Sequence, residues 1–313
     1  MNGIVVIDKP AGLTSHDVVS KVKKILGTRK AGHTGTLDPM ATGVLPVCLD
    51  EATKLAQFLT AENKTYRATM LLGIETNTQD IEGDVIKKSD RTVSEEEIRM
   101  TLGRFVGKIK QVPPAFSALK HKGRPLYQYA REGTFPDVAA RDVEIYRLEV
   151  LDISYPYVTF ETDCSKGTYI RTICSDAGKE MGCGACLSGL RRLRSGFFTE
   201  AMAVTLQDDL SEGKKKELLT KMLTMAESLP EFTEIKVSEA MAEKLKNGFQ
   251  PDVDMMRPNV LPFLAVGDMV KFVNHRGDLV AVAEMLLPQS AMAGQDGKSQ
   301  TARMLRVFND ISQ

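Results

Sequence analysis

The stretch GHTGTLDPMATGVLP, residues 32–46, holds three glycines, two prolines and a histidine, with one acid, Asp38, between Leu37 and Pro39. Aspartate before proline is a common turn former, and taken alone Asp38 reads as a turn residue. Glycines on both sides, with Pro39 and Pro46, also describe a stiff, closely packed platform. A carboxylate there has the chemistry to act as a nucleophile at an anomeric carbon, as in retaining glycosidases. Those enzymes use a second carboxyl as acid, and this loop contains none. A glycosyl transfer that returns its leaving group to the same sugar needs none.

The neighbouring segments alternate strands and helices. GIVVIDK reads as a strand stopped by Pro10 and Gly12, and SHDVVSKVKKIL as a helix with Ser15 as candidate N-cap and Gly27 as its stop. GVLPVCL and KTYRATMLL read as strands, EATKLAQFL as a helix. SEEEIRMTLG carries a capping-box pattern at Ser94 and Glu97. Residues 109–133 form a basic, aromatic excursion with three prolines, then a short helix. VEIYRLEVLDISYPYVTFETDCS supplies two strands, and a helix starts within TYIRTICSDAGKEMG. The stretch from Glu212 to Pro230 reads as helical. Two alternating strands, MVKFVN and DLVAVAEML, joined through HRG, mark a small tail module. These elements predict an α+β fold with a catalytic unit over 1–230 and a tail over 231–313.

The chain has 313 residues, of which 42% are hydrophobic, enough for a full core, and its 41 basic residues balance 41 acidic ones. Bulk charge therefore points to no polyanion partner, and a nucleic-acid site has to be a local basic surface such as Lys21, Lys23, Lys24, Arg29 and Lys30. The apolar run near the amino terminus is too short for a signal peptide, and none spans a membrane. A soluble, cytoplasmic protein is expected. Five scattered cysteines fit reduced thiols. Cys183 and Cys186 have the spacing of half a zinc site, but no second pair follows, and no metal is expected.

Other side chains have two readings each. Tyr169 and Arg171 face one way if the backbone is extended, which suits an arginine that pairs with a buried acid; the competing reading is a surface arginine at a helix start. Tyr66 is either a core aromatic or a ring on which a base stacks. His33 either orders the loop or meets a phosphate. Arg191, Arg192 and Arg194 in LRRLRSGFF form a solvated face or a basic rim for an RNA backbone.

Taken together, GIVVIDKPAGLTSHDVV, RKAGHTGTLDPMATGVLPV, KTYRATMLLG, TNTQDIEG, QVPPAFSALKHKGRPLYQYAREG, CSKGTYIRTI and LRRLRSGFF resemble the bacterial tRNA pseudouridine-55 synthases of the TruB type, in family order over most of residues 3–205. The resemblance implies an extended, mostly antiparallel sheet flanked by helices, and a tail similar to PUA-type RNA-binding modules. It implies cofactor-free isomerisation of uridine 55 in the T-loop of tRNA, by base flipping. Asp38 would be the nucleophile and Arg171 its ion-pair partner. Tyr66 would stack on the uracil and help remove the C5 proton. His33, Tyr169 and Leu190 would line the substrate site, and Asp80 would help hold the flipped loop bases. The partner expected is the T-stem-loop of tRNA, bound by a monomer with no obligatory protein partner. A tRNA-binding or folding factor with secondary catalysis is the alternative.

Overall fold

The computed structural model describes residues 1–206, 211–257, 259 and 261–309. A ten-stranded sheet forms its backbone. Across the sheet run Val204–Thr205, Gly3–Lys9, Thr42–Leu49, Ala185–Ser195, Lys64–Leu72, Tyr157–Cys164, Arg141–Ser154 and Gly107–Gln111. Ala31–His33 and Phe198–Thr199 attach beside the path. Neighbours are antiparallel except at two places: Val204–Thr205 against Gly3–Lys9, and Thr42–Leu49 against Ala185–Ser195. The mostly antiparallel sheet implied by the resemblance is what the chain builds.

Lys64–Leu72 shows the alternation of a strand with one buried face: Tyr66, Ala68, Met70 and Leu72 enter the core while Arg67 is exposed. Gly3–Lys9 and Thr42–Leu49 do not alternate, because both of their faces are covered. Helix Ser15–Leu26 packs Val18, Val22 and Ile25 with Val5, Ile7, Leu45 and Val47 on one side. On the other side, Ile4, Val6, Val44 and Cys48 share a core with Val273, Leu279, Val282 and Phe308 of the tail. A strand buried on both faces reads as a continuous apolar run.

Several local expectations shift. The first helix is capped by Thr14, not Ser15: Thr14 and Asp17 close a capping box, a device worth about 1 kcal/mol. Asp50–Leu55 is a 3-10 helix, followed by one α-turn, Ala56–Leu59. Ser94 caps helix Glu95–Gly103 through the Glu97 amide, while the Glu97 carboxylate turns to Arg91. Helix Glu212–Thr220 stops well short of Pro230.

The tail forms a four-stranded sheet, Thr233–Lys236, Met269–Val273, Leu279–Met285 and Ala302–Val307, with helix Glu239–Lys246 contributing Met241, Ala242 and Leu245 to its own core. Its two central strands also do not alternate. Met285 and Val280 enter the tail core, and Leu279 and Val282 face the large sheet. Buried Lys271 donates to the carbonyls of Ala226 and Leu229 at 2.9 and 3.1 Å, joining the tail to the segment that precedes it. Among the described residues, no helix is long and apolar enough to cross a membrane.

Candidate active site

Asp38 sits where the chain turns between Ala31–His33 and Thr42–Leu49, and its carbonyl accepts the Ala41 amide at 3.1 Å. It is a turn residue in local geometry, and the turn is tied down from three directions. Ser15 Oγ accepts the Leu37 amide at 2.8 Å and donates to the Leu37 carbonyl at 3.1 Å. Lys9, fully buried, donates from Nζ to Pro39, Ala41 and Pro10 carbonyls at 3.0, 2.7 and 2.9 Å. Arg192, also buried, donates from Nε to the Val44 carbonyl at 2.7 Å and from a terminal nitrogen to that of Gly35 at 3.1 Å. Buried carbonyls need such donors, and these cations supply them.

Arg192 itself therefore belongs neither to a solvated face nor to an RNA rim, the two readings of LRRLRSGFF. Arg191 pairs with Asp8 and Glu200, and Arg194 with Thr65 and Asp163. All three lie on the central strand Ala185–Ser195; Arg192 is buried, while Arg191 and Arg194 stay partly exposed in their ion pairs.

Arg171 approaches Asp38 from the first turn of helix Ile170–Glu180, so helix geometry, not an extended backbone, aims it. It is 4% exposed. Nε lies 3.0 Å from Asp38 Oδ2, an ion-pair contact in which Nε makes no well-formed hydrogen bond. One terminal nitrogen donates to Asp38 Oδ1 at 3.3 Å and to the Phe116 carbonyl at 2.9 Å. The other donates to Asp80 Oδ2 at 3.3 Å and to the Thr78 carbonyl at 3.0 Å. One planar fork thus joins the Asp38 turn, the loop of Asp80 and the excursion.

Burial pushes the Asp38 carboxyl above the usual carboxylate range; Arg171 opposes this, Asp80 adds to it, and Lys9 lowers it again. Burial also pulls Lys9 down to about 8 against the raising charge of Asp38. The Tyr66 phenol is held above its ordinary value, chiefly by burial, so it stays protonated at neutral pH. His33 is pushed down by burial and by Arg192, which leaves a neutral ring whose Nδ1 accepts the Gly35 amide at 3.3 Å.

A cavity of about 560 Å³ opens over this pair, lined by Asp38, Tyr66, Tyr169, Arg171, Leu190 and Arg192 among others. That volume is typical of ligand pockets, which span roughly 300–1,000 Å³. Five of the seven residues singled out in the sequence meet there. His33 and Asp80 do not line it. Asp80 is buried against Arg171, and its other oxygen accepts from Thr78 Oγ1 at 2.6 Å and the Glu82 amide at 3.1 Å. Cys183 and Cys186 are buried thiols, and burial raises both, Cys186 to about 11.

Lys9, Ser15 and Arg192 were missed as supports. A lysine closing the run GIVVID, and an arginine among apolar neighbours in LRRLR, are the signals that could have marked buried cations.

Two family models match adjoining stretches of the same chain. The TruB family pseudouridylate synthase N-terminal domain covers residues 23–170, and the tRNA pseudouridylate synthase B C-terminal domain covers 171–229. Asp38 falls in one and Arg171 in the other. The tRNA pseudouridine synthase B of Syntrophus aciditrophicus is 50% identical over 99% of both chains. That of Geobacter sulfurreducens is 40% identical, over 99% of this chain and all of the relative. Among solved structures, a Cbf5–Nop10–Gar1 complex contains a chain that superposes with a TM-score of 0.74 at 30% identity, over 98% of this chain and 85% of that one. With its Asp38–Arg171 pair set beneath an open cavity, the chain belongs to the TruB family of pseudouridylate synthases.

Proposed function

We propose that this protein isomerises uridine 55 in the T-loop of tRNA to pseudouridine, with Asp38 as the reacting carboxylate. The observation that carries the reading is the Arg171–Asp38 ion pair at 3.0 Å, facing a cavity walled by Tyr66 and Leu190. The N1–C1′ bond breaks, the uracil turns within the cavity, and C5 bonds to C1′. The proton lost from C5 is matched by one gained at N1, so the reaction has no net demand for an acid. This is why a site with one reacting carboxylate and an arginine suffices. Whether Asp38 attacks C1′ or takes a sugar proton, it has to be ionised, and Arg171 favours that state.

The target base is stacked within folded RNA and must be extruded, at a cost of a few kcal/mol that backbone contacts offset. Tyr66 serves as the ring against which the uracil rests; its phenol, held above the ordinary value, is a poor proton acceptor at rest. Asp80 acts by holding Arg171 from the side opposite Asp38, in place of a direct contact with bases. The tail over 231–313 is read as a PUA-like RNA-binding module, and the catalytic unit as 1–230. The protein works as a cytoplasmic monomer on the T-stem-loop, without an obligatory protein partner.

Release of tritium from tRNA transcripts labelled at uridine C5 tests this reading. The unsubstituted chain releases it stoichiometrically at position 55, and Asp38→Asn abolishes release while tRNA affinity stays within about twofold. Full release by Asp38→Asn would remove Asp38 from the chemistry.

A further inference from the structure

The excursion over residues 112–138 leaves the sheet at Gln111, the last residue of the edge strand Gly107–Gln111. The Gln111 side chain is 3% exposed. Its amide takes both backbone groups of Tyr169: the Tyr169 N–H donates to Oε1 at 2.7 Å, and Nε2 donates to the Tyr169 carbonyl at 3.0 Å. A side chain here makes the two-point pairing that a neighbouring strand would make. Tyr169 is the N-cap of helix Ile170–Glu180 and offers no side-chain cap of its own, so Gln111 fastens the start of that helix. Arg171 follows two residues later. Phe116, five residues beyond Gln111, returns its carbonyl to Arg171 at 2.9 Å.

We propose that Gln111 is a positioning residue for the reaction: its amide sets the helix start that aims Arg171 at Asp38, and it ties that aim to the seating of the excursion. Gln111 does not line the cavity and touches no reacting atom. It acts through Tyr169 and Arg171. The inference rests on the pseudouridine reading above.

The test uses the full chain with two substitutions, Gln111→Glu and Gln111→Met, and follows tritium release from a tRNA transcript in single turnover at saturating RNA. Gln111→Met loses both bonds, and its rate falls by about tenfold or more with RNA affinity within about twofold. Gln111→Glu keeps the acceptor for the Tyr169 N–H. When ionised it sets a carboxylate oxygen against the Tyr169 carbonyl; when protonated it donates to that carbonyl. A free glutamate titrates near about 4.3 and burial raises this, so the protonated form gains as pH falls. The rate of Gln111→Glu relative to the unsubstituted chain at the same pH therefore rises several-fold between about pH 8 and about pH 5.5. A packing defect alone would not recover on acidification. If Gln111→Met melts early, the Gln111→Glu ratio, taken well below its melting temperature, decides. An unsubstituted-like rate in folded Gln111→Met, or a Gln111→Glu ratio flat with pH, overturns the proposal. Absence of release by the unsubstituted chain would instead overturn the pseudouridine reading.

Discussion

The Asp38 turn and the excursion over residues 112–138 meet at Arg171, yet they are held in opposite ways. Backbone carbonyls of the turn are gripped by buried Lys9, Ser15 and Arg192, whose partners all lie inside the fold. The excursion is fastened at its base by Gln111 and Phe116, and beyond that exposes Phe135 and much of its basic surface. On the reading proposed above, the reacting carboxylate sits on the turn whose carbonyls buried cations hold, and the excursion offers its exposed Lys120, Lys122 and Arg131 to an RNA. A carboxylate that must meet its target on the sugar within a fraction of an ångström belongs on a fixed support.

Breaking the joint itself has the largest effect. Arg171→Lys keeps a charge but cannot serve Asp38, Asp80, Thr78 and Phe116 from one fork, and single-turnover rate falls by about 10²-fold or more while tRNA affinity holds. A near-normal rate would mean that the turn alone sets Asp38. Next comes the rigid side. Gly43 has φ +101°, and a Cβ there would lie 2.2 Å from the Arg192 carbonyl oxygen, so Gly43→Ala costs about 2–4 kcal/mol by denaturant melting and lowers the rate.

A smaller effect sharpens the electrostatic side. Asp38 must be ionised, and its raised pKa places the acid limb of kcat/KM above the ordinary aspartate value. The negative charge of Asp80 adds to that rise, so Asp80→Asn moves the limb to lower pH. A limb that moves upward would contradict the assignment. The smallest change lies in the excursion. Gly133 has φ +71° but open space around it, so Gly133→Ala costs about 1 kcal/mol of backbone strain and leaves the rate intact. Equal penalties at Gly43 and Gly133 would erase the contrast between the two regions.

Most strands and the first helix were legible in the residues, because their apolar runs, caps and turn formers act over short distances. The tail strands were found in place, but not as alternating ones, since the large sheet covers their second face. The site was legible unevenly. Asp38 looked like a turn residue and is one; its second role needed the resemblance. For Arg171 the residues alone leave a surface arginine as the stronger reading, and its pairing with Asp38 comes from the resemblance; the structure buries it one residue into a helix that begins at Ile170. Arg192 fits neither reading because exposure is not written in a residue type: an arginine is buried when enough carbonyls converge on it, and those of Gly35 and Val44 come from the Asp38 turn and the strand that follows it.

Short-range chemistry thus settled what each segment forms and, through the ordered motifs, which family the chain belongs to. Tertiary structure alone decided which charges meet. Asp38 and Arg171 are 133 positions apart, and only the parallel pairing of the Ala185–Ser195 and Thr42–Leu49 strands, with the helix packed against them, brings a carboxylate, its arginine and two buried cations to one point. Electrostatic partnership depends on distance and on exclusion of water, and neither is a property of neighbours in sequence.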